Sequence, residues 1–310
     1  MREKTSQIID EIKKVICGKD EIIRLILQSV LAGGHVLMED VPGVGKTTMA
    51  VSFARTMGMD YGRVQFTPDV LPSDITGFSL LDQETRTMRF QKGAVFHNLF
   101  LADELNRASA RTQSALLEAM EEGQVTVDDM TYPLPKPFVV IATQNPSGAS
   151  GTSLLPDSQM DRFAIRISMG YPSQDNEIEM LLNRQNGANP LTELNPVCSI
   201  EDILQMQVET SKMYIKYRVL KYIVALIDRT RTHRLLARGG SPRATLALTA
   251  MAKAHAYMTD RDYVIPDDVK AVFPAVMCHR LLLTPEAEFK EISTSEIAKE
   301  ILKTTAIPKD

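Results

Sequence analysis

Val36-Leu37-Met38-Glu39-Asp40-Val41-Pro42-Gly43-Val44-Gly45-Lys46-Thr47-Thr48 is an apolar strand running into a glycine-rich turn, and Met49-Ala50-Val51-Ser52-Phe53-Ala54 continues it as a helix-like run. Strand, glycine turn, Lys-Thr and helix in this order has the spacing of a phosphate-cradling loop. The physical reason is that backbone N–H groups and the positive end of a helix face an anion there. Pro42, Gly43, Val44, Gly45, Lys46, Thr47 and Thr48 are therefore the candidate phosphate contacts. Lys46 is placed against the outer phosphates and the Thr47 hydroxyl on Mg²⁺. The strict pattern has glycine where this chain has Asp40. Asp is among the few residues that tolerate a left-handed backbone, and its carboxylate must point away from the phosphates or bond locally.

Working outward, the chain alternates apolar strands with helices up to about residue 170. Strands are expected near 35–38, 63–66, 98–102, 138–142 and 164–167, as in a parallel sheet covered on both faces. Residues 5–32 read as two helices broken near Gly18. Residues 74–97 and 124–137 read as two inserted β-hairpins with tips at Asp82–Thr87 and Asp128-Asp129-Met130. Beyond Tyr171-Pro172 the pattern becomes helical, at about 177–184, 200–212, 219–232, 242–259 and 266–281. An α/β nucleotide-binding core over 1–175 and a C-terminal all-helical lid over 176–310 follow as the expected organisation.

The 310 residues suit about two domains. A net charge of −4 gives no broad basic footprint for nucleic acid. No apolar run reaches membrane-spanning length, and the N-terminus lacks a secretory pattern. Three widely spaced cysteines suggest reduced thiols and a cytoplasmic protein. The five histidines show no ligand spacing for a structural metal.

Leu99-Phe100-Leu101-Ala102-Asp103-Glu104 sets two carboxylates at the C-terminal end of a buried strand, the edge where ligands gather in open α/β sheets. Asp103 suits Mg²⁺, which keeps several waters, and Glu104 suits orienting an attacking water. Asn145 follows the strand at 138–142. Its amide reaches the same water if that strand lies between those bearing Lys46 and Asp103. Arg162, in Gln159-Met160-Asp161-Arg162-Phe163, reads either as a local pair with Asp161 or as a cation supplied to a neighbouring subunit's nucleotide. In Ser241-Pro242-Arg243 a helix cap is followed by a cation that opposes the helix dipole; a phosphate or a carboxylate nearby resolves the conflict.

These segments, together with Gln65-Phe66-Thr67-Pro68-Asp69, Leu71-Pro72-Ser73-Asp74-Ile75-Thr76-Gly77, Ala102-Asp103-Glu104-Leu105-Asn106-Arg107-Ala108, Gln113 to Glu122 and Gly240-Ser241-Pro242-Arg243-Ala244, resemble MoxR-type AAA+ ATPases over nearly the whole chain. In that family Asp is familiar at the position of Asp40. The resemblance implies ATP/ADP and Mg²⁺ as ligands. Lys46 and Thr47 match Walker A, Asp103 and Glu104 Walker B, Asn145 sensor 1, Arg162 the arginine finger and Arg243 sensor 2. Ile16, Cys17 and Gly18 match the segment that packs on adenine. It further implies a homo-hexameric ring, a chaperone-like action on client proteins and a partner with a von Willebrand factor A domain. The alternatives are a nucleic-acid motor and a magnesium-chelatase-like subunit. The acidic hairpin tip disfavours the motor, because a phosphate backbone calls for cations there.

Overall fold

The computed structural model describes residues 1–84, 86–145, 155–185 and 189–308. The chain opens with helices α1 (Arg2–Lys13) and α2 (Asp20–Leu31), strand β1 (Val36–Glu39), helix α3 (Lys46–Thr56) and strand β2 (Tyr61–Gln65). A short helix α4 (Pro72–Thr76) leads into the hairpin β3 (Gly77–Leu81) and β4 (Met88–Lys92), then β5 (Leu99–Asp103) and α5 (Ala110–Glu122). The hairpin β6 (Gln124–Val127) and β7 (Met130–Pro133) precedes β8 (Val139–Gln144), α6 (Asp157–Met160) and β9 (Ile165–Ile167). The remainder comprises α7 (Gln174–Leu182), α8 (Ile200–Ser211), β10 (Tyr214–Ile215), α9 (Tyr217–Thr232), β11 (Leu236–Arg238), α10 (Pro242–Met258), β12 (Tyr263–Val264), α11 (Pro266–Met277), β13 (Leu282–Leu283), α12 (Pro285–Phe289) and α13 (Thr294–Thr304).

Five strands form a sheet in the order β2-β5-β8-β1-β9, and every pairing in it is parallel. Side chains alternate between its faces. Leu37, Phe100, Ala102, Val140 and Ala142 pack with Leu116 and Leu117 of α5. Val36, Met38, Leu99, Leu101, Val139 and Ile141 pack on the other face with Met49 and Phe53 of α3. Burial on both faces explains why these strands read as continuous apolar runs rather than alternating ones.

The second apolar cluster does not stop at the sheet. It runs through Ile8 and Ile12 of α1 and Ile26, Leu27 and Val30 of α2 into Met206, Tyr222, Leu248, Met251 and Phe273 of the C-terminal helices. Polar ties follow the same seam. Gln207 donates to the Val30 carbonyl at 2.7 Å, and the Asn195 N–H donates to Glu11 at 3.0 Å. The N-terminal helices thus pack between the sheet and the C-terminal helices. Helix α7 begins at Gln174, so a division at 175/176 falls within its first turn.

The C-terminal part is predominantly helical and also carries two small strand pairs, β10 with β12 and β11 with β13. Elements of two or three residues have no periodicity to read, which is why they escaped the sequence. Both expected hairpins are present. In the second, Asp128 and Asp129 alone make the turn, at φ 48° and 63°, and Met130 already belongs to the strand. Among the described residues no helix is long and apolar enough to cross a membrane.

Candidate functional site

Gly45 precedes α3 at φ 96° and Gly43 lies at φ 89°, conformations that L side chains rarely adopt. They turn the chain from β1 onto the helix, whose first N–H groups have no partner within the helix. Asp40 explains its own place in the loop. Its carboxylate is buried and accepts from the Ser168 hydroxyl at 2.7 Å, the Met169 N–H at 2.6 Å and the Gly170 N–H at 3.0 Å. It therefore bonds locally and ties the loop's start to the segment after β9. Replacing Asp40 by Ala removes the acceptor of the buried Met169 N–H and of the half-buried Gly170 N–H, at a cost of about 2 kcal/mol. Thermal unfolding is expected to shift down by about 3 °C for a chain of this size; an unchanged midpoint would contradict the assignment.

Lys46 is buried, and its Nζ donates to the main-chain carbonyl of Asp40 at 2.7 Å. Burial pulls its pKa down, and the charges of Asp40, Asp103 and Glu104 oppose that. The four groups are therefore close enough to feel one another. Thr47 and Thr48 are half-buried beside it, and Pro42 and Gly43 are exposed.

Strand β8 lies between β1 and β5, the condition under which Asn145 reaches the acids. Asn145 donates to Glu104 Oε1 at 3.2 Å. Thr143, wholly buried on β8, joins the two acids. Its hydroxyl donates to Asp103 Oδ1 at 2.7 Å and accepts from the Glu104 N–H at 2.8 Å. Glu104 is held at φ 56°, a left-handed conformation that costs energy in a non-glycine residue. Its carboxyl is kept below the usual range chiefly by Arg107, at 2.8 Å, with Asn145 also contributing and burial opposing. Arg63 on β2 donates to Asp103 Oδ2 at 2.7 Å. Thr143, Arg63 and Arg107 were not singled out in the sequence. A threonine in a buried strand reads as an ordinary β-branched strand former, and only the pairing of β5 with β8 gives its hydroxyl a task.

A cleft of about 410 Å³ opens beside the loop, lined by Ile16, Cys17, Gly43, Val44, Gly45 and Thr48 among others and flanked by α7 through Glu177 and Met180. This volume suits a small-molecule ligand. Gly18, at φ 66°, packs so tightly on the Asn176 side chain that a Cβ there would lie 1.9 Å from its amide nitrogen.

Arg162 and Arg243 are not in this cleft. Arg162 precedes β9, whose Ile165 pairs with Val36 at the start of β1, whereas Lys46 follows the end of β1. The two cations therefore lie at opposite edges of the sheet, separated by about 13 Å or more of strand. Arg162 does not pair with Asp161. It meets Glu121 at 3.3 Å, and Arg243 ends on the same carboxylate. Glu121 thus resolves the conflict of Arg243 with the helix dipole. His35 steadies this region. Its Nδ1 accepts from the Val140 N–H at 3.0 Å and its Nε2 donates to the Met120 carbonyl at 3.1 Å, while burial lowers its pKa to about 4.

Fold and site together define a P-loop ATPase of the AAA class. The model of the ATPase family associated with various cellular activities matches residues 35–165, and that of the AAA lid domain matches 228–301. YeaC of Bacillus subtilis is 45% identical over 300 residues, covering 97% of this chain and 93% of that protein. Chaperone MoxR1 of Mycobacterium tuberculosis is 40% identical over 309 residues, covering 97% of this chain and 81% of that protein. A crystal structure from Cytophaga hutchinsonii superposes with a TM-score of 0.92 at 41% identity, covering 99% of this chain and 96% of that one. The chain belongs to the MoxR-type AAA+ ATPases.

The donor set fits the ligands that this family implies. Buried Lys46 and the glycine loop suit phosphates, and a threonine hydroxyl with one carboxylate suits Mg²⁺. Among the described residues no cluster of three or more His, Cys, Asp or Glu could hold a metal.

Proposed function

We propose that this chain hydrolyses ATP with Mg²⁺ in a ring of identical subunits and uses the turnover to remodel client proteins. The observation that carries the chemistry is Thr143, which seats Asp103 and Glu104 with one hydroxyl at the sheet edge where Lys46 lies. Lys46 leaves the Asp40 carbonyl for the phosphates. Thr47 and Asp103 would hold Mg²⁺, which supplies charge neutralisation of the phosphates when bound. Glu104, ionised and aimed by Asn145, orients the water and takes up its proton. Ile16, Cys17 and Gly18 supply the wall for adenine.

Arg162 and Arg243 sit at the far edge of the sheet from their own loop, so they serve a nucleotide on the adjoining subunit. Glu121 occupies them meanwhile as a carboxylate standing in for phosphate oxygens. This arrangement supports the ring, and a hexamer is the form that the resemblance implies. The relative named Chaperone MoxR1 supports the protein-remodelling half, and a partner with a von Willebrand factor A domain belongs to the same reading. Asp128 and Asp129 at a hairpin turn weigh against a nucleic-acid track.

Mg²⁺-dependent phosphate release from ATP by the purified chain tests the chemical half. Lys46→Ala is expected to weaken ATP binding on the order of 10- to 100-fold, the worth of a charge-assisted hydrogen bond to phosphate. Titration calorimetry reads this directly, and an unchanged affinity would remove Lys46 from the site.

A further inference from the structure

Arg280 follows α11 in a turn and is almost wholly buried, with a side-chain exposure of 2%. A guanidinium has five N–H donors in a fixed fork, and here all five are used. Nε donates to Asp161 Oδ1 at 2.7 Å. Nη2 donates to the carbonyls of Asp161 at 3.1 Å and Phe163 at 2.6 Å. Nη1 donates to the Ala164 carbonyl at 3.1 Å and to that of Val276. The carbonyls of Asp161, Phe163 and Ala164 bracket Arg162 on both sides. Neighbouring His279 adds a bond from Nε2 to the Phe163 carbonyl at 3.3 Å.

The other oxygen of Asp161 accepts from the Ser241 hydroxyl at 2.8 Å. Ser241 caps α10, accepting from the Ala244 N–H, and Arg243 stands in that helix's first turn. One carboxylate therefore joins the segment that carries Arg162 to the helix end that carries Arg243, and one buried guanidinium holds that carboxylate.

We infer that Arg280 is a positioning residue for the two arginines offered to the neighbouring subunit: it fixes the backbone on both sides of Arg162 and, through Asp161 and Ser241, the end of α10 that presents Arg243. The inference rests on the proposed ring reading. Its physical need is plain. A cation on a loose turn reaches a neighbour's phosphate only after paying ordering entropy, and a misplacement of about 1 Å costs on the order of 10²-fold in rate. Lysine cannot replace the fork, since its three donors radiate from a single nitrogen.

The test uses full-length chains in mixed assemblies. Arg280→Lys is expected to lower kcat on the order of 10²-fold with KM for ATP within about twofold, because its own phosphate loop is untouched. Mixed with Lys46→Ala subunits, whose arginines are intact, it is expected to regain turnover. Mixed with Arg162→Ala subunits it is expected to regain none, because no subunit then offers both arginines in place. A variant that is merely misfolded fails both mixtures. Ser241→Gly is the second variant, since it keeps most of the capping worth and breaks only the link to Asp161; the same pattern is expected, with a smaller loss of about tenfold. Recovery of Arg280→Lys with Arg162→Ala would overturn the inference. So would failure of both variants with Lys46→Ala where Arg162→Ala recovers. Failure of Arg162→Ala itself to recover with Lys46→Ala, with assembly verified by light scattering, overturns the reading of Arg162 as a cation supplied to the neighbouring subunit, and the inference with it.

Discussion

Arg162→Ala is expected to lower steady-state ATP turnover about 10³-fold while leaving ATP affinity unchanged, the effect of removing a cation supplied in trans to a transferring phosphoryl group. Two facts make the effect specific. The side chain is only about one-third exposed and meets Glu121 at 3.3 Å, an ion pair of the kind worth ~1 kcal/mol or less. Loss of that pair cannot account for a thousandfold change. The residue also lies across the sheet from Lys46, so a local defect in the subunit's own site is not expected. Phosphate release should return in part when Arg162→Ala and Lys46→Ala subunits are mixed. Unmixed Arg162→Ala retaining wild-type turnover would take the residue out of the chemistry altogether.

Glu104→Gln is expected to lower turnover by 10²- to 10⁴-fold, the usual worth of a positioned general base, with ATP still bound. The amide is nearly isosteric with the carboxylate but neither accepts a proton nor carries the charge that Arg107 and Asn145 stabilise. The backbone is unaffected, because the Glu104 N–H keeps its bond to Thr143. Single-turnover measurements separate the two steps: bound ATP should persist, with phosphate appearing slowly if at all. Wild-type rates would mean that another group orients the water.

The sheet and the loop were readable because they depend on local pattern. Buried parallel strands have continuous apolar runs, and glycine at positions 43 and 45 marks backbone that only glycine adopts cheaply. Asp103, Glu104 and Asn145 could be singled out as candidates because they end strands, and the structure brings them together. What escaped depends on pairing across the chain. Thr143 gains meaning only beside β5, and Arg280 only because α11 ends against the segment 161–164. Glu121, which collects both Arg162 and Arg243, was quoted only as part of a long helical match. The short pairs β10–β12 and β11–β13 fell below any periodic signal, and α12 and α13 lie past the last helix read from the pattern. Residues 186–188 and Pro146 lie outside the described residues.

The apolar seam shared by α1, α2 and the C-terminal helices has a mechanical meaning. Prying those helices away from the sheet would wet Ile26, Leu27, Val30 and Met251, all fully buried, at about 1.5–3 kcal/mol for each large side chain. Within the chain the linkage is accordingly stiff. In the ring proposed above, the work of turnover would therefore fall to the joints between subunits rather than to this seam.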